Sequence, residues 1–250
     1  MRLVCLLILI PLSTLNFLTA ADSPGFDLEK YNVSARKSAE AILDRLNERD
    51  NLSERELSLR GDAFFWLGDF AKAAADYDQM CALNADLEDS HWRRGIAWYY
   101  AGEFKQAAGQ FERYHTFDNV DRENGIWRYF SQVRAYGNEH AQKELLKYEK
   151  DDRAPFPLLY QLFADKVTPK EILDQIAMSE ISDQEREKQL FYAELYIGLN
   201  YAVHQENAKA IPHLQAAVAN KWGPEAGYGP HYMWQVGRLQ LNLLTDAKAE

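Results

Sequence analysis

Residues 57–77 read LSLRGDAFFWLGDFAKAAADY, and residues 91–111 read HWRRGIAWYYAGEFKQAAGQF. At an offset of 34 residues the two stretches share small, aromatic and arginine positions, whereas most of their charged residues do not match. The matched pairs are Arg60 and Arg94, Gly61 and Gly95, Gly68 and Gly102, Phe70 and Phe104, Ala73 and Ala107, and Tyr77 and Phe111. Residues that pack on a neighbouring helix must repeat, while residues that face water need not, so the pattern indicates stacked helical units.

Each stretch predicts two short helices joined by a turn. A helical pattern runs up to Gly68 or Gly102 and restarts at Phe70 or Phe104, as a helix-turn-helix unit requires. A 34-residue period of small and aromatic positions resembles the tetratricopeptide repeat. The resemblance implies an all-α, helix-turn-helix solenoid, an α-α superhelix with degenerate repeats.

The rest of the chain fits a single helical domain over residues 22–250. In a degenerate third unit, Gly198 takes the role of Gly61, and Gln205 stands where the turn glycine is expected. Ala35, Ala39 and Leu46 belong to an apolar stripe that predicts a helix before the first repeat. Whether the irregular middle region adds or interrupts repeats is left open by the pattern. The domain plan comprises clear repeats at 54–87 and 88–121, an irregular helical middle at 122–190, a degenerate repeat at 191–224, a loop at 223–230 and a C-terminal helix at 231–244.

The N-terminus predicts export. Residues 1–21 combine a basic Arg2, an apolar run and small residues up to Ala21, which is the order of a secretory signal peptide. We expect cleavage near Ala21 and a periplasmic or secreted protein. Cys5 lies in front of the apolar core and not behind it, so no lipid anchor is evident. Cys81 then remains as a lone cysteine, for which we expect a buried thiol.

Composition and motifs argue against several functions. The 28 Lys and Arg against 38 Asp and Glu give a net charge of -10 without a basic stripe, which disfavours nucleic acid as a partner. The six histidines show no zinc-binding spacing, and no nucleophile motif is present. Asp151 and Asp152 are expected to be solvated in a charged turn. We therefore expect no cofactor, no metal and no enzymatic activity.

Binding is the better-supported function. The first helix of each repeat is expected to line a concave groove. Over the two repeats, five of the residues expected there are aromatic, and aromatic side chains often anchor peptides. The candidate groove residues are Arg55, Asp62, Phe65, Trp66, Asp89, Trp92, Ile96, Tyr99 and Tyr100. In the alternative interpretation, the same aromatic residues pack against an N-terminal or C-terminal helix that fills the groove.

Several further stretches resemble one family of repeat proteins. RRGIAWYYAGEFKQAAGQFERY at 93–114, Trp127 to Tyr129, LFYAELYIGLNYA at 190–202 and HLQAAVANK at 213–221 are similar to the bacterial periplasmic tetratricopeptide lipoproteins of the NlpI type. That resemblance implies a non-catalytic adaptor, often a homodimer, that docks cell-wall hydrolases and a periplasmic protease. The chain departs from the family because it lacks the lipid-bearing cysteine after the signal.

The leading hypothesis is an exported, non-catalytic scaffold that binds protein or peptide clients through the concave aromatic groove. The alternative is a structural helical-repeat protein that self-associates and fills its groove internally.

Overall fold

The computed structural model describes residues 27–150 and 152–246, and this part of the chain is all-helical. Twelve α-helices follow one another within it, and most of them pack mainly on their neighbours in sequence. They are α1 (Leu28–Leu46), α2 (Glu54–Trp66), α3 (Phe70–Leu83), α4 (Trp92–Tyr100), α5 (Phe104–Phe117), α6 (Arg122–Tyr136), α7 (Asn138–Lys143), α8 (Phe156–Phe163), α9 (Pro169–Met178), α10 (Asp183–Val203), α11 (Asn207–Ala219) and α12 (Tyr228–Asp246). The expected all-α solenoid of the tetratricopeptide type is confirmed.

The proposed signal peptide at 1–21 and Cys5 lie outside the described residues. Among the helices that are described, none combines the length and the apolar character needed to cross a bilayer. Cys81 is a free, buried cysteine late in α3, as the sequence predicts.

The repeated glycines and aromatic residues form the contacts within each helix pair. A Cβ atom added to Gly61 would lie 2.7 Å from the Tyr77 ring, and one added to Gly95 would lie 2.7 Å from the Phe111 ring. Both rings are fully buried, so neither has free space to move into. The 34-residue spacing therefore preserves two matching close contacts, α2 on α3 and α4 on α5.

The turn position shows why one residue type is favoured there. Gly68 and Gly102 adopt φ values of +83° and +86°, which glycine reaches without a steric penalty. Between α10 and α11, Gln205 holds the corresponding place with a φ of 64°. The packing contact of this unit is also kept, since a Cβ on Gly198 would meet Leu214 at 2.8 Å. The pair α10 and α11 thus retains repeat geometry despite its degenerate sequence.

Residues between α5 and α10 depart from the two-helix unit. After the long helix α6, the chain turns at Gly137 with a φ of +93° and forms α7, which has only six residues. Helices α8 and α9 follow, and α8 packs on both α6 and α10. The middle region therefore connects the two repeat-like parts through irregular helices.

Several helix ends are set by local capping. Ser53 and Thr168 form capping boxes with Glu56 and Glu171, each three residues further along the chain. Ser182 caps α10 by accepting from the Glu185 backbone N–H, but the Glu185 carboxylate binds side chains along the helix instead of completing a box.

The last helix begins earlier than expected. Helix α12 starts at Tyr228, so Gly229 and Pro230 lie in its first turn and the preceding loop ends at Gly227. Proline is tolerated in a first turn because its missing N–H has no partner within the helix there. Helix α12 packs on α11, α10 and α1, and its side chains also reach α2 and α4. This position determines which parts of the concave surface remain open.

Candidate functional site

Helix α12 covers the concave surface in front of the first repeat. At the centre of this contact, the Asp62 carboxylate accepts hydrogen bonds from Tyr77 Oη at 2.6 Å, Arg93 Nη1 at 2.8 Å and Tyr228 Oη at 2.6 Å. Asp62 is 3% exposed, and the Arg93 side chain is 13% exposed. The Asp62 carboxylate thus pairs with one guanidinium, that of Arg93, and also accepts hydrogen bonds from the phenols of Tyr77 and Tyr228.

Aromatic packing closes the same contact. Phe65 of α2 stacks on Tyr232 of α12 with ring centroids 4.8 Å apart, and Trp92 of α4 meets Tyr232 edge-on at 5.0 Å. Tyr100 packs on Phe65 at 5.9 Å and donates a hydrogen bond to Gln240 Oε1 at 3.1 Å. These contacts bury the aromatic face that the sequence places on the groove.

The nine predicted groove residues therefore have different environments. Arg55 and Asp89 are exposed, and Trp66, Trp92 and Tyr100 are half-buried. The expectation of one open aromatic surface is wrong for the buried members, which are Asp62, Phe65, Ile96 and Tyr99. For Asp62 and Phe65 the physical reason is α12, which fills this part of the groove in the way that the alternative interpretation allowed, whereas Tyr99 packs on Phe104 of α5 and Trp127 of α6.

A cavity of about 390 Å³ remains where α12 leaves the concave surface open. It lies between α4, α6, α10 and the first turns of α12, and Trp92 and Ile96 are the predicted groove residues that line it. Trp127, Tyr192 and Met233 complete its largely apolar walls. We call this space the central cavity.

Charged groups at the central cavity are unevenly balanced. Arg153 forms ion pairs with Asp121 at 3.4 Å, Glu123 at 2.5 Å and Asp152 at 3.1 Å. Its guanidinium also lies over the Phe156 ring, 4.2 Å from the centroid. Three carboxylates therefore surround one cation. We call these four residues the Arg153 cluster.

The second cation of the central cavity does not restore the balance. Lys188 lines the cavity, and its ammonium lies 3.1 Å from the Glu185 carboxylate. This pair carries no net charge. Among the residues that line the cavity, Asp121 and Glu123 are matched by Arg153 and Lys188, and the excess of carboxylate comes from Asp152 and Glu185 beside them.

Two carboxylates of the cluster, Glu123 and Asp121, have raised pKa values. Burial raises the pKa of Glu123 to about 7, even though Arg153 acts in the opposite direction. Tyr196 Oη donates a hydrogen bond to Glu123 Oε1 at 2.5 Å from a fully buried position. Burial also raises the pKa of Asp121. Glu123 therefore changes its charge near neutral pH, and a cation that enters the cavity would favour its ionised form.

Sequence reasoning missed most of this site. Asp152 was expected to be solvated, yet its side chain is 8% exposed, and it accepts a hydrogen bond from the Arg122 backbone N–H at 3.0 Å. Asp151 lies outside the described residues. The only signal in the sequence is the pair of short charged runs at 121–123 and 152–153, which border the irregular region. Nothing in either run indicates that the two meet.

The described residues give no sign of a metal centre. Across 27–150 and 152–246, no group of three or more histidine, cysteine, aspartate or glutamate side chains is arranged to hold a metal ion. The chemistry available at the central cavity is that of charge, hydrogen bonding and aromatic contact.

Comparison with known proteins supports the repeat type. No family model matches the chain. A stretch of 89 residues is 34% identical to human tetratricopeptide repeat protein 16 and covers 35% of this chain. The match spans 10% of that protein, so the chain corresponds to about a tenth of the length of this relative. Together with the helical geometry, this likeness supports a repeat protein of the tetratricopeptide type.

Proposed function

We propose that this protein is a non-catalytic interaction scaffold and that it binds protein clients by taking a basic side chain into the central cavity. The observation that carries the proposal is the combination of an open cavity with the Arg153 cluster, in which three partly buried carboxylates surround one cation. Its volume of about 390 Å³ lies in the range of specific ligand pockets. Repeat proteins of this type bind partners on their concave surface, which is where the cavity lies.

A lysine or arginine side chain fits the charge of this cavity. Around Arg153, three carboxylates and one guanidinium sum to two negative charges when Glu123 is ionised. An entering cation would pair with Glu123 and offset the cost that burial imposes on that carboxylate. An anionic or neutral side chain would form no ion pair with Glu123 and would gain no comparable electrostatic stabilisation.

The walls suit the same ligand. Trp92, Trp127 and Tyr192 line the cavity, and aromatic faces attract a cation as well as its aliphatic stem. Trp92 is half-buried, so part of its ring is available to a client at the cavity mouth. Each of these contacts contributes more when water is excluded, which a concave site favours.

Export and the identity of the clients are part of the proposal. The sequence at 1–21 supports an exported protein, and the family resemblance supports cell-wall hydrolases or a periplasmic protease as clients, with a homodimer as the assembly. Mass spectrometry of the chain purified from its native cells tests the first point. A mature N-terminus near residue 22 supports export, and an intact Met1 in cytosolic protein contradicts it.

A selection of random peptides on the purified chain tests the binding proposal. We expect the recovered peptides to share a lysine or arginine whose replacement by norleucine lowers affinity at least tenfold. The substitution Glu123→Gln should weaken these peptides, because the cavity then loses one negative charge. Glu139→Gln is the matched control, since Glu139 is an exposed residue on α7, away from the cavity.

Equal effects of the two substitutions, or peptides without a common basic residue, would contradict the proposal. The filled part of the groove favours a second candidate, a structural protein that self-associates. Light scattering on the mature chain separates this case, because a monomer at all concentrations is incompatible with it.

A further inference from the structure

A second cavity lies on the opposite side of α12, and its chemistry is different. It has a volume of about 430 Å³ and is formed by α1, the turn between α2 and α3, and the C-terminal half of α12. Its polar lining includes Asn32, Arg36, Arg238 and Asn242. None of the groups in the Arg153 cluster contributes to it. We call this space the α1–α12 cavity.

Arg238 is the central feature of the α1–α12 cavity, because it is a buried cation that pairs with no carboxylate among residues 27–150 and 152–246. The residue is 3% exposed, and its guanidinium donates to Gln235 Oε1 at 2.7 Å, Asn32 Oδ1 at 2.7 Å and the Trp66 carbonyl at 2.6 Å. All three acceptors are neutral. Trp66 ends α2, so its carbonyl also offers the negative end of a helix dipole, which compensates only part of a full charge.

The guanidinium retains donors for a further ligand. Arginine has five N–H donors, and the three hydrogen bonds of Arg238 leave two of them unused. Burial and the neighbouring Arg36 lower the pKa of Arg238 to about 10. The charged group that acts on Arg238 is thus another cation. A buried charge in this situation is costly unless an anion accompanies it.

Two further donors line the same cavity. Trp66 Nε1 is buried and has no hydrogen-bond partner. Arg36 is exposed on α1 and forms no ion pair within the described residues. The guanidinium groups of Arg36 and Arg238, from α1 and α12, therefore border one space beside the Trp66 ring, and two cations in this arrangement are suited to an oxyanion.

The remaining lining residues narrow the class of anion. Glu29 and Asp246 are exposed at the ends of the cavity and would repel a multiply charged ligand. Phe70, Leu239 and Leu243 provide an apolar wall. A singly charged head with a short apolar substituent fits both features.

We propose that the α1–α12 cavity binds a carboxylate that carries a short branched aliphatic group, with the carboxylate held by Arg238 and Arg36 beside the Trp66 ring. A polypeptide C-terminus and a free aliphatic acid share this chemistry. The site is separate from the central cavity, so its test is independent of the proposed function.

The indole N–H signal of Trp66 provides a direct readout in a two-dimensional ¹H–¹⁵N NMR spectrum of the full chain. The chain has six tryptophans, and the signal that disappears in Trp66→Phe belongs to this residue. We expect N-acetyl-leucine to shift that signal saturably and N-acetyl-leucinamide to leave it unchanged. A titration with 4-methylpentanoate distinguishes the two sources: equal binding assigns the site to aliphatic acids in general, and weaker binding assigns it to a polypeptide C-terminus.

Arg36→Gln should weaken N-acetyl-leucine about tenfold, since one charge-assisted hydrogen bond is lost. Lys37→Gln is the matched control, because Lys37 is exposed next to Arg36 on α1 and does not line the cavity. Absence of a saturable shift, an equal shift with the amide, equal effects of the two substitutions, or stronger binding of sulfate would each overturn the proposal. Both variants alter exposed side chains, so the test does not depend on a substitution in the core.

Discussion

The two halves of the concave surface differ in how their charged side chains are paired and in whether the space beside them is filled. In front of the first repeat, Asp62 and Arg93 form a balanced pair, and Tyr228 and Tyr232 of α12 fill the remaining space. In front of α6, the Arg153 cluster has more carboxylate than cation and adjoins the open central cavity. A balanced and filled surface stabilises the fold, whereas an unbalanced surface beside open space is poised to bind. This difference is the reason for proposing the half beside the central cavity as the binding site.

The largest expected effect lies in the filled half. Asp62→Ala leaves Arg93 buried without its carboxylate and should lower the free energy of unfolding by about 3–5 kcal/mol. Asp152→Ala is the comparison in the open half, and we expect a loss of about 1 kcal/mol there because Arg153 keeps two other carboxylates. Urea unfolding followed by circular dichroism measures both. Equal losses would show that the two halves do not differ as described.

A pH series sharpens the comparison through Glu123 in the open half and His91 in the filled half. Burial raises the pKa of Glu123 to about 7, so the folded state binds more protons than the unfolded state between pH 4.5 and 7. Its contribution to stability therefore falls as pH rises through that window. Burial lowers the pKa of His91 to about 3, so the His91 contribution rises with pH between 3 and 6.5.

Glu123→Gln should isolate the first of these opposing contributions. The difference in unfolding free energy between the variant and the native chain should grow in favour of the variant by about 2–3 kcal/mol from pH 4.5 to 7.5. Chemical denaturation at several pH values gives this difference. Glu139→Gln, an exposed control, should show a flat difference, and a flat result for Glu123→Gln would contradict the assigned burial.

A smaller effect is expected at the repeat contacts that support both halves. Gly61→Ala places a Cβ atom 2.7 Å from the Tyr77 ring and should cost about 1–3 kcal/mol. The control is Gly109→Ala in α5, where the nearest atom, Arg113 Nη1, is 3.7 Å away and alanine favours the helix. In thermal unfolding, the Tm of Gly61→Ala should fall below that of the native chain, and the Tm of Gly109→Ala should rise above it. A stable Gly61→Ala protein would mean that the repeat contact is looser than the structure shows.

The sequence predicts local features of this fold well and long-range ones poorly. Gly61 and Tyr77, or Gly198 and Leu214, are sixteen residues apart, so their contact recurs with the repeat and is visible as a pattern. The same register places Gln205 at the turn between α10 and α11.

The candidate site depends on contacts that occur once. Asp62 meets Tyr228 across 166 residues, and Arg153 meets Glu123 from the far side of an irregular region. A single long-range contact leaves no periodic trace in one sequence. For this reason the sequence leaves open whether a terminal helix covers the groove residues, and it gives no indication of the cavity beside them.

The affinity of a selected basic peptide for two charge-reversal variants tests the central claim most directly. Lys188→Glu adds negative charge inside the central cavity, and Lys166→Glu makes the same change at an exposed position between α8 and α9. Calorimetric titration should show tighter binding to Lys188→Glu by about fivefold, roughly 1 kcal/mol, and little change for Lys166→Glu. If both variants bind the peptide equally, the attraction comes from the net charge of the protein and the central cavity is not the binding site.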